Sequence, residues 1–155
     1  MAEVQELVTK LADKLGRERA SLMPILQEIV EENKYLSKEA MIEVAKQLDL
    51  SAADVYGTAS FYSFLDTEER GEYVIRVCKS IIAEMKGKKE IIKTLENLFK
   101  IKVGETSSCK KFTLLETNDI GWSDHEPSML INDVPYIDLT PDKVIKIICK
   151  YRNKK

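Results

Sequence analysis

Glu72-Tyr73-Val74-Ile75-Arg76-Val77-Cys78 is the stretch on which the fold of this chain turns. Tyr, Val and Ile crowd it, and such side chains suit a pleated, half-buried surface. It reads as a strand over 73–78. Downstream, Ile91, Ile92, Leu95 and Phe99 fall on one side of a helix expected near 87–100. A second strand is expected near 112–116. Met129-Leu130-Ile131 and Val134-Pro135-Tyr136-Ile137 are joined by Asn132-Asp133, the pattern of a hairpin with a two-residue turn. Pro135 lacks an N–H, which favours an edge position for its strand. Thr140-Pro141 opens a last helix, with Thr as N-cap and Pro at the first helical position. Strand, helix, strand, hairpin and helix in that order point to an open sheet with helices packed against it.

Upstream the periodicity is different. Thr67-Glu68-Glu69-Arg70-Gly71-Glu72 is polar and reads as a linker. Before it, Val4, Leu7, Val8, Leu11 and Leu15 share one helical face, and Gly16 punctuates. Leu22, Ile25, Leu26, Ile29 and Val30 form a second stripe that ends near Asn33. Ser37 can cap a third helix carrying Met41, Val44, Ala45 and Leu48. Ser51 can cap a fourth, with Asp54 three residues on, where its charge favours the helix dipole. Isolated helices this short are marginal in water, so they must pack on each other or on a partner. The fold class expected is α+β, a helical bundle over 1–66 followed by an α/β domain over 72–155.

Composition narrows the function. The chain has 155 residues, 44% of them hydrophobic, and a net charge of −2 from 24 Lys+Arg against 26 Asp+Glu. That near-balance speaks against nucleic-acid binding, which needs a concentrated basic face. Lys150 to Lys155 is the one basic run, and it reads as a solvated helix end. No apolar stretch approaches the ~20 residues of a membrane span. Met1-Ala2-Glu3-Val4-Gln5-Glu6 lacks the apolar core of a signal peptide, and a cytoplasmic location is expected. Three widely spaced cysteines, Cys78, Cys109 and Cys149, suggest reduced thiols.

Several segments carry a resemblance. Val55-Tyr56-Gly57-Thr58-Ala59-Ser60-Phe61-Tyr62 is the strongest, joined by Leu26-Gln27-Glu28 and Tyr35-Leu36-Ser37. In the second half the matching positions are Val74 to Cys78, Gly87, Gly121, Ile131-Asn132-Asp133, and Tyr136 followed by Leu139-Thr140-Pro141. Together they resemble the thioredoxin-like 2Fe–2S ferredoxin family, best known from the NuoE-like small subunit of NADH dehydrogenase. The resemblance implies a helical N-terminal segment that docks on a partner and a thioredoxin-like C-terminal domain. It also implies a flavin-binding, NADH-oxidising neighbour subunit. The family's cluster cysteines, Cys-x4-Cys and Cys-x3-Cys, fall on Cys78, Ala83, Asp119 and Ser123. Only the first is a cysteine. A 2Fe–2S cluster normally takes four thiolates, so the expectation is a relative with no cluster, no other metal and no catalytic residues.

Other chemistries are weaker on the residues. Cys109 and His125 lie in loops, and Cys149 lies on the last helix, where it is expected as a small core residue. A cluster ligated by Cys78, Cys109 and His125 still lacks a fourth ligand. Asp119, Ser123, Asp124, His125 and Glu126 offer donors for a single metal ion, but without a recognised ligand spacing. Cys78 as a redox nucleophile lacks a resolving cysteine. Tyr56, Phe61, Tyr62 and Trp122 are the residues expected to meet a partner, since aromatics are enriched at interfaces. Trp122 and Ile82 are also expected to fill the space between the 78–87 and 119–123 loops. The function expected is that of a non-catalytic structural or regulatory subunit of a flavin-dependent NAD(P)H-linked oxidoreductase complex. The alternatives are an electron-transfer subunit with unusual cluster ligation and a free-standing thiol protein.

Overall fold

A computed structural model describes residues 2–153, and the chain divides into two compact units between Glu69 and Arg70. Lys154 and Lys155 of the basic run, and Met1, lie outside the described residues.

The first unit is built from helices α1 (Ala2–Leu15), α2 (Leu22–Asn33), α3 (Lys38–Gln47) and α4 (Ala52–Phe61). Its core joins Val8, Leu11 and Ala12 of α1 to Ile25, Leu26 and Ile29 of α2, Met41 and Val44 of α3, and Val55 and Ala59 of α4. Apart from Ala12 and the two α4 residues these belong to the stripes read from the sequence, with burial of apolar area as the stabilising force. Ser37 and Ser51 act as N-caps: their hydroxyls accept from Ala40 N–H and Asp54 N–H, each at 3.1 Å. Lys34 closes α2 in the left-handed region with φ 70°. The bundle's exit is pinned where Leu36 N–H donates to Asp66 C=O at 2.7 Å. Helix α4 is rich in small and polar residues and buries only Val55 and Ala59, so most of its surface stays open.

The second unit contains β1 (Tyr73–Cys78), α5 (Ile81–Met85), α6 (Lys88–Phe99), β2 (Phe112–Thr117), β3 (Met129–Ile131), β4 (Val134–Tyr136) and α7 (Pro141–Asn153). The sheet order is β2-β1-β3-β4. β1 runs parallel to β2, with Ile75 opposite Leu114, and antiparallel to β3, with Val77 opposite Met129. The parallel pair requires a crossover, which α5 and α6 supply. Pro135 sits on the edge strand β4. Ile75, Val77, Leu114, Met129 and Ile131 of the sheet pack with Ile91 and Leu95 of α6 and Val144, Ile147 and Ile148 of α7. Gly71 is sterically required: a Cβ there would meet backbone atoms of Lys111 and Phe112 at 2.9 Å.

Two expectations are corrected. Residues 81–85 form a helix, not a loop, because Ser80 caps it by accepting from Ala83 N–H at 3.0 Å. Cys149 is exposed, not core. The buried stripe of α7 is Val144, Ile147 and Ile148, and one further residue rotates the chain by about 100° out of that stripe.

Candidate functional site

Cys78 ends the central strand β1, with its thiol fully buried. Five residues on, Ala83 faces inward from α5 and is also fully buried, while Ile81 and Met85 point outward. The other wall follows β2. Asp119 folds this loop on itself: Oδ1 accepts from Gly121 N–H at 2.9 Å and Oδ2 accepts from Ser123 Oγ at 2.7 Å. The Ser123 hydroxyl, with Gly121 N–H, holds the Asp119 carboxyl below its ordinary range.

The residue that enters between these walls is Glu126. Its side chain is buried, Oε2 accepts from Ser128 N–H at 2.6 Å, and Oε1 lies 3.4 Å from the donating Ser80 hydroxyl. Cys78 Sγ and a carboxylate oxygen from each of Asp119 and Glu126 lie within 4.8 Å of one another. Burial, reinforced by the hydrogen bond and charge of Glu126, pushes the Cys78 thiol up. A buried thiol held protonated is a poor nucleophile, which argues against the thiol-protein alternative.

The loops are also tied by charge. Lys88, at the start of α6, is almost wholly buried and lies 2.6 Å from Glu84 and 2.7 Å from Glu116. Burial disfavours its ammonium, but the hydrogen bonds and charges of Glu116 and Glu84 reverse this and hold its pKa above the ordinary value. The Lys86 ammonium donates to Asp124 C=O at 2.8 Å.

Of the four positions that the resemblance sets against cluster cysteines, Cys78 and Asp119 are brought together, Ala83 is buried without a donor, and Ser123 is engaged by Asp119. One sulfur, one methyl, one carboxylate and one hydroxyl are not the four thiolates of a 2Fe–2S site, so these residues do not fit that group. Cys109 is exposed in another loop beside Ser107 at 3.4 Å, and His125 Nδ1 is 3.0 Å from Asp138 Oδ2. Trp122 and Ile82, expected to fill this space, are 39% and 41% exposed. Ile82 lies on α5 beside the buried Ala83, and the buried Glu126 bonds to Ser80 and Ser128 next to Cys78. Sequence reasoning placed Glu126 among loop acids; its signal was position, immediately before Pro127 and two residues from Ser128, whose carbonyl accepts from Cys78 N–H.

A separate feature lies on the helical unit. At the end of α4, Phe61 is 79% exposed and Tyr56 56%. Phe61 and Tyr62 meet edge to face at 5.0 Å, and Tyr62 lies 5.4 Å from Phe64. Phe61, Tyr62, Gly57 and Met23 line an open groove of about 440 Å³. Gly57 sits in the helix interior with nothing within 4 Å of where its Cβ would be.

Among the described residues no helix is long and apolar enough to cross a membrane. The sequence matches the family model of thioredoxin-like 2Fe-2S ferredoxins over residues 7–152. It is 34% identical over 134 residues to a subunit of the NADH-quinone oxidoreductase of Buchnera aphidicola, covering 86% of this chain and 83% of that protein. It is 33% identical over 145 residues to the alpha subunit of the NAD-reducing hydrogenase HoxS of Cupriavidus necator, covering 94% of this chain but 24% of that subunit. The chain therefore spans about a quarter of the hydrogenase subunit's length. The crystal structure of an air-oxidized NAD+-reducing NiFe-hydrogenase shares the fold, with a TM-score of 0.72 and 24% identity over 82% of this chain and 22% of that one. A match that runs unbroken through both the helical and the sheet unit places this chain in the thioredoxin-like 2Fe-2S ferredoxin family.

Proposed function

We propose that this chain is a cluster-free, non-catalytic structural or regulatory subunit of a flavin-dependent NAD(P)H-linked oxidoreductase complex, and that it acts in the cytoplasm. Its partner is the flavin-binding, NADH-oxidising subunit. The observation that carries the reading is the donor set at the four family positions: the fold is retained while three of the four sulfurs are replaced by a methyl, a carboxylate and a hydroxyl. Glu126 joins the residues after Cys78 to the start of β3 through Ser80 and Ser128, and the buried Lys88 ammonium joins α5 and α6 to β2 through Glu84 and Glu116.

Docking is assigned to the aromatic end of α4 and to Trp122. Gly57 supports the first. A glycine inside a helix costs roughly 1 kcal/mol relative to alanine, and among the described residues nothing lies within 4 Å of where the Gly57 Cβ would stand. Close approach of another chain gives a reason for it. The test is co-purification with the flavin subunit from the native host, together with iron and acid-labile sulfide analysis. Retention of the complex with neither iron nor sulfide bound to this subunit is the expected result. Stoichiometric iron and sulfide in this subunit would sink the cluster-free reading. Failure of every NADH-oxidising protein to co-purify would sink the subunit reading.

A further inference from the structure

We infer that the space between Cys78, Asp119 and Glu126 is a binding site for a single divalent cation of the zinc type. The inference rests on the cluster-free reading above. Three donor atoms, one from the end of β1 and two from the connection between β2 and β3, already lie within 4.8 Å of one another. Zinc bound at about 2.3 Å to sulfur and about 2.1 Å to oxygen places tetrahedral ligands about 3.6 Å apart, so a small inward movement of each side chain closes the site. One thiolate with two carboxylates suits a borderline-soft ion such as zinc better than magnesium or calcium, which prefer all-oxygen shells.

A second observation is independent of these donors. Ser128 is fully buried, and its Oγ has no hydrogen-bond partner. Buried hydroxyls are normally satisfied. Val77 pairs with Met129, and Cys78 N–H donates to Ser128 C=O at 3.0 Å, so Ser128 stands opposite Cys78 on β1. Directly opposed residues of an antiparallel pair project from the same face of the sheet. The orphan hydroxyl is therefore on the Cys78 side, the side on which Glu126 and Asp119 converge, where a metal-bound water would satisfy it. Glu126 is held by neutral donors, the Ser128 N–H and the Ser80 hydroxyl. Oriented this way, it carries a supporting shell of the kind metal ligands use. Asp119 is exposed and marks the entry path. Binding releases the Cys78 proton to solvent, because the thiolate is the ligand.

The experiment titrates the chelator-treated full-length chain with Co²⁺ and with Zn²⁺. Cobalt gives a thiolate-to-metal charge-transfer absorption that reports Cys78 directly. The expected result is one equivalent of Co²⁺ producing that band, displaced by Zn²⁺. Glu126→Gln should weaken Zn²⁺ binding at least tenfold, and Cys78→Ser should abolish the band, with folding checked by Trp122 fluorescence. No band in the wild-type chain, or a Zn²⁺ affinity unchanged in Glu126→Gln, overturns the site and leaves the subunit reading standing. Uptake of iron with sulfide in place of a single ion overturns both.

Discussion

Replacing Lys88 with methionine removes the cation that joins α5, α6 and β2 while keeping most of the apolar stem in place. The ammonium lies 2.6 Å from Glu84 and 2.7 Å from Glu116, with 7% of the side chain exposed. Breaking a fully buried pair costs about 3–5 kcal/mol, because a charge is left uncompensated. Here the two carboxylates keep 40% and 30% exposure, so water recovers part of the loss. The expected destabilisation is about 1–3 kcal/mol. With a urea m-value of about 2 kcal/mol/M, the midpoint should fall by about 0.5–1.5 M. Trp122 is the single tryptophan and lies in the second unit, so its fluorescence follows that unit. The pH dependence has a definite sign. Glu84 has its carboxyl lowered by the Lys88 hydrogen bond, so its contribution is present above the ordinary glutamate pKa and is lost as pH falls through the lower folded value. Lys88 has a raised pKa, so its contribution is present below the ordinary lysine value and is lost as pH rises through the higher folded one. The difference between wild type and Lys88→Met should be flat near neutrality and shrink at both extremes. A midpoint unchanged or raised in Lys88→Met would refute the reasoning, since it would mean that desolvation of the ammonium outweighs both ion pairs.

Gly57→Ala should raise the stability of the helical unit by roughly 0.5–1 kcal/mol in circular dichroism melts, yet lower retention of the flavin subunit in pull-downs; equal retention would remove the argument for a close-approach surface. Phe61→Ala or Tyr56→Ala should weaken that association by about 1–3 kcal/mol, measured by titration, whereas Ile42→Ala, an exposed apolar position on α3, should change it little. Gly71→Ala should destabilise the second unit by about 1–3 kcal/mol in the same urea assay, because the added methyl meets backbone atoms that cannot yield. Cysteines at Ala83, Asp119 and Ser123 together, with Glu126→Ala to clear the carboxylate, should permit cluster reconstitution, read as visible colour after anaerobic treatment with iron and sulfide. Colourless protein would mean that the ligand loops no longer hold family-like geometry.

The sequence by itself determined the elements whose signals are local. Stripes at helical spacing, serine caps at Ser37 and Ser51, the Asn132-Asp133 turn and the edge proline Pro135 all act within a few residues, and each stands where its spacing put it. That the chain carries only three cysteines, with no Cys-x4-Cys and no Cys-x3-Cys pair, was equally legible, since it is a matter of residue identity. What occupies the vacated space was decided only by tertiary structure. Ser80 caps a five-residue helix too short to show a periodicity, and that turn sends Ile82 outward and Ala83 inward. Glu126 looked like one acid among several in a polar loop. Its burial follows from strand pairing, because β3 sets Ser128 against Cys78 and carries Glu126 in beside them. Lys88 likewise reads as a surface lysine until β2 brings Glu116 to it across the sheet edge. Local propensity acts between near neighbours in the chain, whereas the meeting of Cys78, Asp119 and Glu126 depends on segments about 40 residues apart, whose approach is set by sheet register and not by any spacing along the sequence.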